Sequence, residues 1–178
     1  MTASLIILIP LLIAMTFSED EFSLEGKIRQ GAMEPPPATS SPFTLEDLEK
    51  NVSKNAAGQF QLSLIDAYFA GGDPEVHQVL SGIPVEIEGR LMPEKGFEDG
   101  SRRRIYRTFI SCCAADATIA GISLLFDTPS LEIPDGDWVR AGGTMEFEQK
   151  DGKFQTVIRG ATLLPADEPY SEFLQRNQ

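Results

Sequence analysis

The chain has 178 residues, of which 42% are hydrophobic and 24% charged, enough for one domain with a hydrophobic core plus an additional segment. Its formal net charge of −12 produces a surface that repels phosphate backbones, which argues against nucleic acid as a partner. The two cysteines, Cys112 and Cys113, are adjacent, and this excludes a framework of structural disulfides.

The first 17 residues are uncharged and mostly apolar, a length near the lower limit for a helix that spans a bilayer. A cleaved secretory signal is one alternative, but it normally has a basic amino-terminal region and a small-residue cleavage site. Here the first basic residue is Lys27. A buried core helix is a second alternative. We expect residues 1–17 to be a single membrane anchor in the cell membrane, with the rest of the chain extracytoplasmic.

The following residues, 18–43, are predicted to be a linker, because Pro35, Pro36, Pro37 and Pro42 disfavour both helix and strand pairing. The folded domain is then expected at 44–170, with a tail at 171–178.

Helix signals occur early in this domain. Thr44 is a candidate N-cap followed by an acidic first turn, which predicts a helix over 44–53. The apolar pattern of residues 60–69 fits either a strand or a helix. Asp73 followed by Pro74 predicts a second helix start, and Gly82 predicts its end.

After Gly82 the apolar residues alternate with a period of two, which is typical of half-buried strands. Glycines within the strands indicate bulges or sharp bends. Five short, bent strands favour a mainly β fold, a small OB-like barrel with short flanking helices. The strands are predicted at 83–92, 104–111, 119–126, 138–147 and 154–164.

Cys112, Cys113 and Asp116 lie between the second and third predicted strands. Two thiolates and a carboxylate could form part of a soft-metal site, for example for zinc, although a tetrahedral zinc ion needs about four donors. A reactive thiol would need a base, and the only histidine is His77. A purely structural role is the favoured interpretation, because free cysteine packs well in a protein interior.

Arg102, Arg103, Arg104 and Arg107 form the one basic cluster. They could contact an anion or an acidic partner, and the alternative is a solvated edge strand with charged side chains. Trp138 is expected to be a core anchor rather than a base-stacking platform.

The remaining charged residues give no catalytic signal. Carboxylates such as Glu86 and Glu88 are interpreted as solvent-facing charge, and the sequence contains no recognised catalytic or nucleotide-binding motif. We therefore expect a non-catalytic protein.

Two segments, 107–117 and 135–144, resemble the YcgQ-like family of bacterial membrane proteins, whose members are described as subunits of two-component membrane permease complexes. The sequences are RTFISCCAADA and DGDWVRAGGT, and the similarity spans roughly residues 60–170. The family pattern has two spanning helices, whereas this sequence has one candidate.

The resemblance implies an extracytoplasmic carboxy-terminal domain beside a polytopic permease subunit. The expected function is a non-catalytic accessory subunit of such a complex. The alternative is an extracytoplasmic protein that uses Cys112 and Cys113 for soft-metal binding or thiol redox chemistry.

Overall fold

A computed structural model of the protein describes residues 43–110, 117–169 and 173–175. The predicted anchor at 1–17 and the predicted linker up to residue 42 lie outside this part of the chain. Within the described part, no helix has the length and apolar character to cross a bilayer. The helices are α1 (Leu45–Asn51), α2 (Leu64–Ala70) and α3 (Pro74–Leu80), and the strands are β1 (Phe60–Leu62), β2 (Pro84–Pro93), β3 (Arg102–Ile110), β4 (Thr118–Leu125), β5 (Trp138–Lys150), β6 (Lys153–Pro165) and β7 (Phe173–Gln175).

Each helix begins at a side chain that accepts a hydrogen bond from a first-turn amide. Thr44 forms a capping box with Asp47, whose N–H donates to Thr44 Oγ1 at 3.2 Å while Thr44 N–H donates to Asp47 Oδ2 at 3.0 Å. Ser63 caps α2, and Asp73 caps α3 ahead of Pro74. These caps satisfy backbone donors that a helix leaves unpaired, and they fix where each helix starts.

The helix predictions are confirmed in their positions. The helix predicted over 44–53 is α1, and the one predicted to start after Asp73 is α3. The segment 60–69 contains both structures that its pattern allowed: β1 comes first, and Ser63 then begins α2.

Five strands close into a barrel, in which β2 pairs with β5, β5 with β6, β6 with β4, β4 with β3, and β3 again with β2. The β4–β6 pair is parallel and the other four are antiparallel. The predicted mainly β fold with a five-stranded barrel is therefore confirmed. The largest difference in strand bounds is at the end of β5, which continues to Lys150 rather than to residue 147.

A bulge bends β5 at a pair of glycines. The register between β5 and β6 shifts between Gly142 and Thr144. A Cβ atom on Gly143 would lie 2.6 Å from Ile158 Cγ2 and 2.8 Å from the Arg159 carbonyl oxygen, so only glycine fits this close approach. The bulge predicted from the strand glycines is confirmed here.

Strands β2 and β3 separate partway along the barrel. Their pairing ends at Arg90 and Tyr106. Beyond that point, β1 pairs in parallel with residues 85–87 of β2, and β7 pairs in parallel with residues 108–110 of β3. β7 lies in the segment that was predicted to be a tail.

The core fills the barrel and continues into α2, which packs against β2, β3, β4 and β6. The ring of Phe69 meets that of Phe109 edge-on at 6.1 Å, and Thr156 Oγ1 donates to the carbonyl oxygen of Ala67 at 2.6 Å. The helix is thus joined to the barrel by apolar packing and by a buried hydrogen bond. The largest fully buried side chains are Phe109, Leu48, Leu64, Ile87, Leu91, Ile105, Leu124, Met145, Ile158, Val85, Val139 and Val157.

Candidate functional site

The four arginines predicted as one basic cluster take part in separate interactions. Arg102 joins a network of ion pairs: its Nη2 lies 2.8 Å from Glu148 Oε2, and its Nε lies 3.3 Å from Glu94 Oε2. Glu148 also lies 3.6 Å from Arg159, which pairs with Glu146 at 2.6 Å. The hydrogen bond to Glu146 raises the pKa of Arg159. This network ties β3, β5 and β6 together on the barrel wall.

Arg103 is buried, with 3% of its surface exposed. Its Nη1 donates to the carbonyl oxygens of Ile133 at 2.8 Å and Ser130 at 3.3 Å, and its Nη2 donates to Asp135 Oδ1. All three acceptors belong to the connection between β4 and β5. A buried guanidinium needs such partners to offset the loss of water, so Arg103 fixes the shape of this connection.

Arg104 and Arg107 interact with the barrel itself. Arg104 Nη2 donates to the carbonyl oxygen of Gly121 at 2.9 Å. Burial raises the pKa of the Tyr68 phenol, and the charge of Arg104 opposes that shift. Arg107 places its guanidinium 5.3 Å from the ring centroid of Trp138. A role of these arginines in binding an anion or an acidic partner stays a prediction.

Trp138 is contacted by two guanidinium groups, since that of Arg90 lies 5.0 Å from the centroid of the same ring. Cation–π contacts of this kind are favourable. Trp138 is 7% exposed, as expected of a core anchor. Arg90 also donates to Glu168 at 2.8 Å and to the carbonyl oxygen of Gly136 at 2.9 Å, so the start of β5 and the segment after β6 meet at this side chain.

The interpretation of Glu86 as solvent-facing charge is wrong, because Glu86 is only 8% exposed. Asn55 Nδ2 donates to its Oε2 at 3.0 Å, and Gln61 Nε2 donates to its Oε1 at 3.1 Å. The partners are distant in sequence, so strand alternation gave no signal for them. The carboxylate joins β2 to β1 and to the loop before it.

The predicted thiol or metal site lies outside the described residues. Cys112, Cys113 and Asp116 fall in the undescribed segment 111–116, and a soft metal such as zinc at this place stays a prediction. The ends of the connection are fixed by the pairing of Phe109 with Thr118. Elsewhere in the described ranges, no group of three or more His, Cys, Asp or Glu residues could hold a metal ion.

His77, the proposed base for a reactive thiol, packs against aromatic rings. It stacks on Phe147 with 4.0 Å between centroids and meets Phe154 edge-on at 5.0 Å. Its Nε2 lies 3.2 Å from the carbonyl oxygen of Gly71. These contacts hold α3 against the hairpin of β5 and β6.

Comparison with known proteins identifies the domain. No curated protein matches the chain. The DUF1980 C-terminal domain family matches residues 48–174, which covers most of α1, all of α2, α3 and the barrel, and most of β7. The chain therefore belongs to the DUF1980 C-terminal domain family.

Proposed function

We propose that this chain is a non-catalytic, membrane-anchored accessory subunit of a permease complex, with an extracytoplasmic barrel of the OB type as its binding domain. The observation that carries the proposal is that charged side chains of the barrel are engaged in contacts within the fold. Arg102, Arg103 and Glu86 are each held by ion pairs or hydrogen bonds within the fold. Such side chains support a rigid surface suited to binding.

The strand arrangement supports the assignment to the OB type. That fold is a five-stranded Greek-key barrel, and the cyclic order β2–β5–β6–β4–β3 with one parallel pair is compatible with it. OB barrels commonly bind ligands through loops and one barrel face. The net charge of −12 argues for a partner other than nucleic acid.

The membrane part of the proposal rests on the apolar segment 1–17 and on the resemblance to YcgQ-like proteins. The membrane anchor and the accessory role are tested with one preparation. Tagged full-length chain is expected in the membrane pellet after a carbonate wash, and it should co-purify with a polytopic protein in a fixed ratio after mild solubilisation. The matched control replaces residues 1–17 with a cleavable secretory signal, which should release the domain.

Release of the unaltered chain by carbonate would contradict the anchor. A chain that stays in the membrane but always isolates alone would contradict the accessory role.

A second function, soft-metal or thiol chemistry, is favoured by one observation. Cys112, Cys113 and Asp116 occupy a short connection whose two ends are joined by the pairing of Phe109 with Thr118. Stoichiometric metal that is lost in the double variant Cys112→Ser, Cys113→Ser would support this function. Unchanged metal content in that variant would exclude metal binding by these cysteines.

A further inference from the structure

We propose that the loops 94–101 and 126–137 form a preformed docking surface for a basic segment of a protein partner. We call it the Phe97–Leu131 surface, after its two exposed apolar side chains. This inference rests on the proposed function, because it names the surface through which the accessory subunit would contact its polytopic partner.

The two loops are joined by backbone hydrogen bonds. Phe126 N–H donates to the carbonyl oxygen of Ser101 at 3.0 Å, and Ser130 N–H donates to that of Gly100 at 3.1 Å. Underneath, the buried Arg103 holds the 126–137 loop through its three acceptors. A loop of twelve residues without helix or strand is unusual in a compact domain and commonly serves a function. This loop is held in one conformation by the interior of the protein.

The apolar side chains stand on two loops that are hydrogen-bonded to each other, and the guanidinium of Arg102 lies 5.4 Å from the centroid of the Phe97 ring. Leu131 is 66% exposed and Phe97 is 37% exposed. Leu131 packs over Gly100, where a Cβ atom would lie 2.7 Å from Leu131 Cδ2. Gly100 N–H also donates to the carbonyl oxygen of Phe97 at 3.1 Å, so one tight turn carries both contacts.

A single exposed leucine on a surface needs no explanation. Two exposed apolar side chains on a pair of ordered loops are more informative. The entropy cost of ordering these loops is met on folding, so a partner that binds them does not have to offset it. Side chains presented in this way are suited to act as anchors that enter a recess on a partner.

Charge identifies the kind of partner. The two loops contain seven acidic residues and one basic residue, Lys95. Glu94 and Asp135 are paired with arginines, whereas Glu132 and Asp137 form no ion pair with any described residue. Loops that carry exposed apolar side chains together with an excess of carboxylates are complementary to a partner segment rich in lysine or arginine, and they disfavour anionic lipid headgroups.

Asp99 stays charged beside these anchors. Its Oδ1 accepts hydrogen bonds from Ser101 N–H at 3.0 Å and Ser101 Oγ at 2.7 Å. These bonds hold the pKa of the carboxyl below its ordinary value. Asp99 therefore keeps its negative charge at mildly acidic pH.

The test uses the full chain in its native membrane. A photo-crosslinking amino acid replaces Leu131 in one variant and, as the matched control, Leu45 of α1 in another, since Leu45 is 49% exposed. Crosslinked peptides are mapped by mass spectrometry. We expect crosslinks from position 131, and none from 45, to a segment of a polytopic protein with an excess of lysine and arginine.

Substitution provides the second measurement. Leu131→Ser should weaken co-purification of that protein by about tenfold or more, as loss of an anchor does, while Leu45→Ser should leave it unchanged. Glu132→Lys should weaken it as well and reduce its sensitivity to salt. The urea midpoint of each variant is compared with that of the unaltered chain, and it should be unchanged because these side chains are exposed.

Each contrary result has one meaning. Crosslinks from position 131 only to lipid, only to a second copy, or no stronger than those from 45 would overturn the docking surface. If a polytopic protein co-purifies equally with the Leu131→Ser variant, the docking surface is wrong and the proposed function stands. If position 131 crosslinks to a basic segment of a protein that is not polytopic, the docking surface stands and the permease assignment is wrong.

Discussion

Arg103 Nη2 lies 2.5 Å from Asp135 Oδ1, joining the start of β3 to the end of the connection that leads into β5. The arginine side chain is nearly inaccessible to solvent, while the aspartate is exposed. The pair therefore links the barrel interior to its surface loops, and the first two of the following predictions concern contacts of this kind.

Arg103→Met is expected to destabilise the domain by about 2–4 kcal/mol, because it leaves the carbonyl oxygens of Ser130 and Ile133 without their donor. Urea denaturation followed by the fluorescence of Trp138, the single tryptophan, measures the loss. The control is Arg140→Met, at an exposed position of β5, which should change stability by less than about 0.5 kcal/mol. Equal effects of the two substitutions would contradict the role given to Arg103.

Glu86→Ala should lower the free energy of unfolding by about 1–3 kcal/mol, because two amide donors, from Asn55 and Gln61, lose their acceptor. The matched change is Glu88→Ala, two residues along the same strand, where a smaller effect is expected. Hydrogen exchange of the β1 amides offers an independent readout, since β1 should open more readily in the Glu86 variant. Unaltered exchange there would argue against the carboxylate as the link to β1.

Gly89→Ala is expected to be destabilising by about 1–3 kcal/mol through overpacking. Its Cβ would lie 2.8 Å from the Tyr106 carbonyl oxygen and 2.9 Å from Ile105 Cγ1. Gly121→Ala is the control on the other side of Tyr106, since its nearest contacts are at an ordinary 3.4 Å. Thermal unfolding of both variants should show the larger decrease in Tm for Gly89→Ala.

The carboxyl of Asp47 should titrate below its ordinary pKa of 3.8, because the side chain and the backbone of Thr44 donate to it. A depressed pKa stabilises the folded state above the unfolded value, and this contribution is lost as the pH falls through the folded pKa. NMR titration measures the pKa directly. In Thr44→Ala it should rise towards 3.8, and in the control Thr128→Ala it should stay low.

The barrel could be predicted because its signals are local. Alternation in β2 and the apolar run of β4 mark strands without any knowledge of their neighbours, and Gly142 and Gly143 mark the bulge. Helix starts were equally readable at Thr44 and Asp73, since a cap and the amides it satisfies lie within a few residues.

The buried charges could not be predicted, because their partners are far along the chain. Glu86 meets Asn55 and Gln61 only after β1 has paired with β2, and Arg103 meets residues 130–135 only after the barrel has closed. Strand periodicity gives the face of a residue, but it contains no information about what covers that face. The same limit applies to the neighbours Arg102 and Arg103. Arg102 pairs with Glu94 and Glu148, whereas Arg103 is buried against residues 130–135, and neither set of partners has a signal in the sequence.

The separation of β2 from β3 beyond the pair Arg90 and Tyr106 limits how far the domain can be truncated. The edges of β2 and β3 that no longer pair with each other are covered by β1 and β7, which precede and follow the barrel in sequence. A fragment restricted to the five barrel strands would present two rows of unpaired amides and carbonyls, which is a known cause of self-association. Preparations meant to remain monomeric should retain both flanking segments.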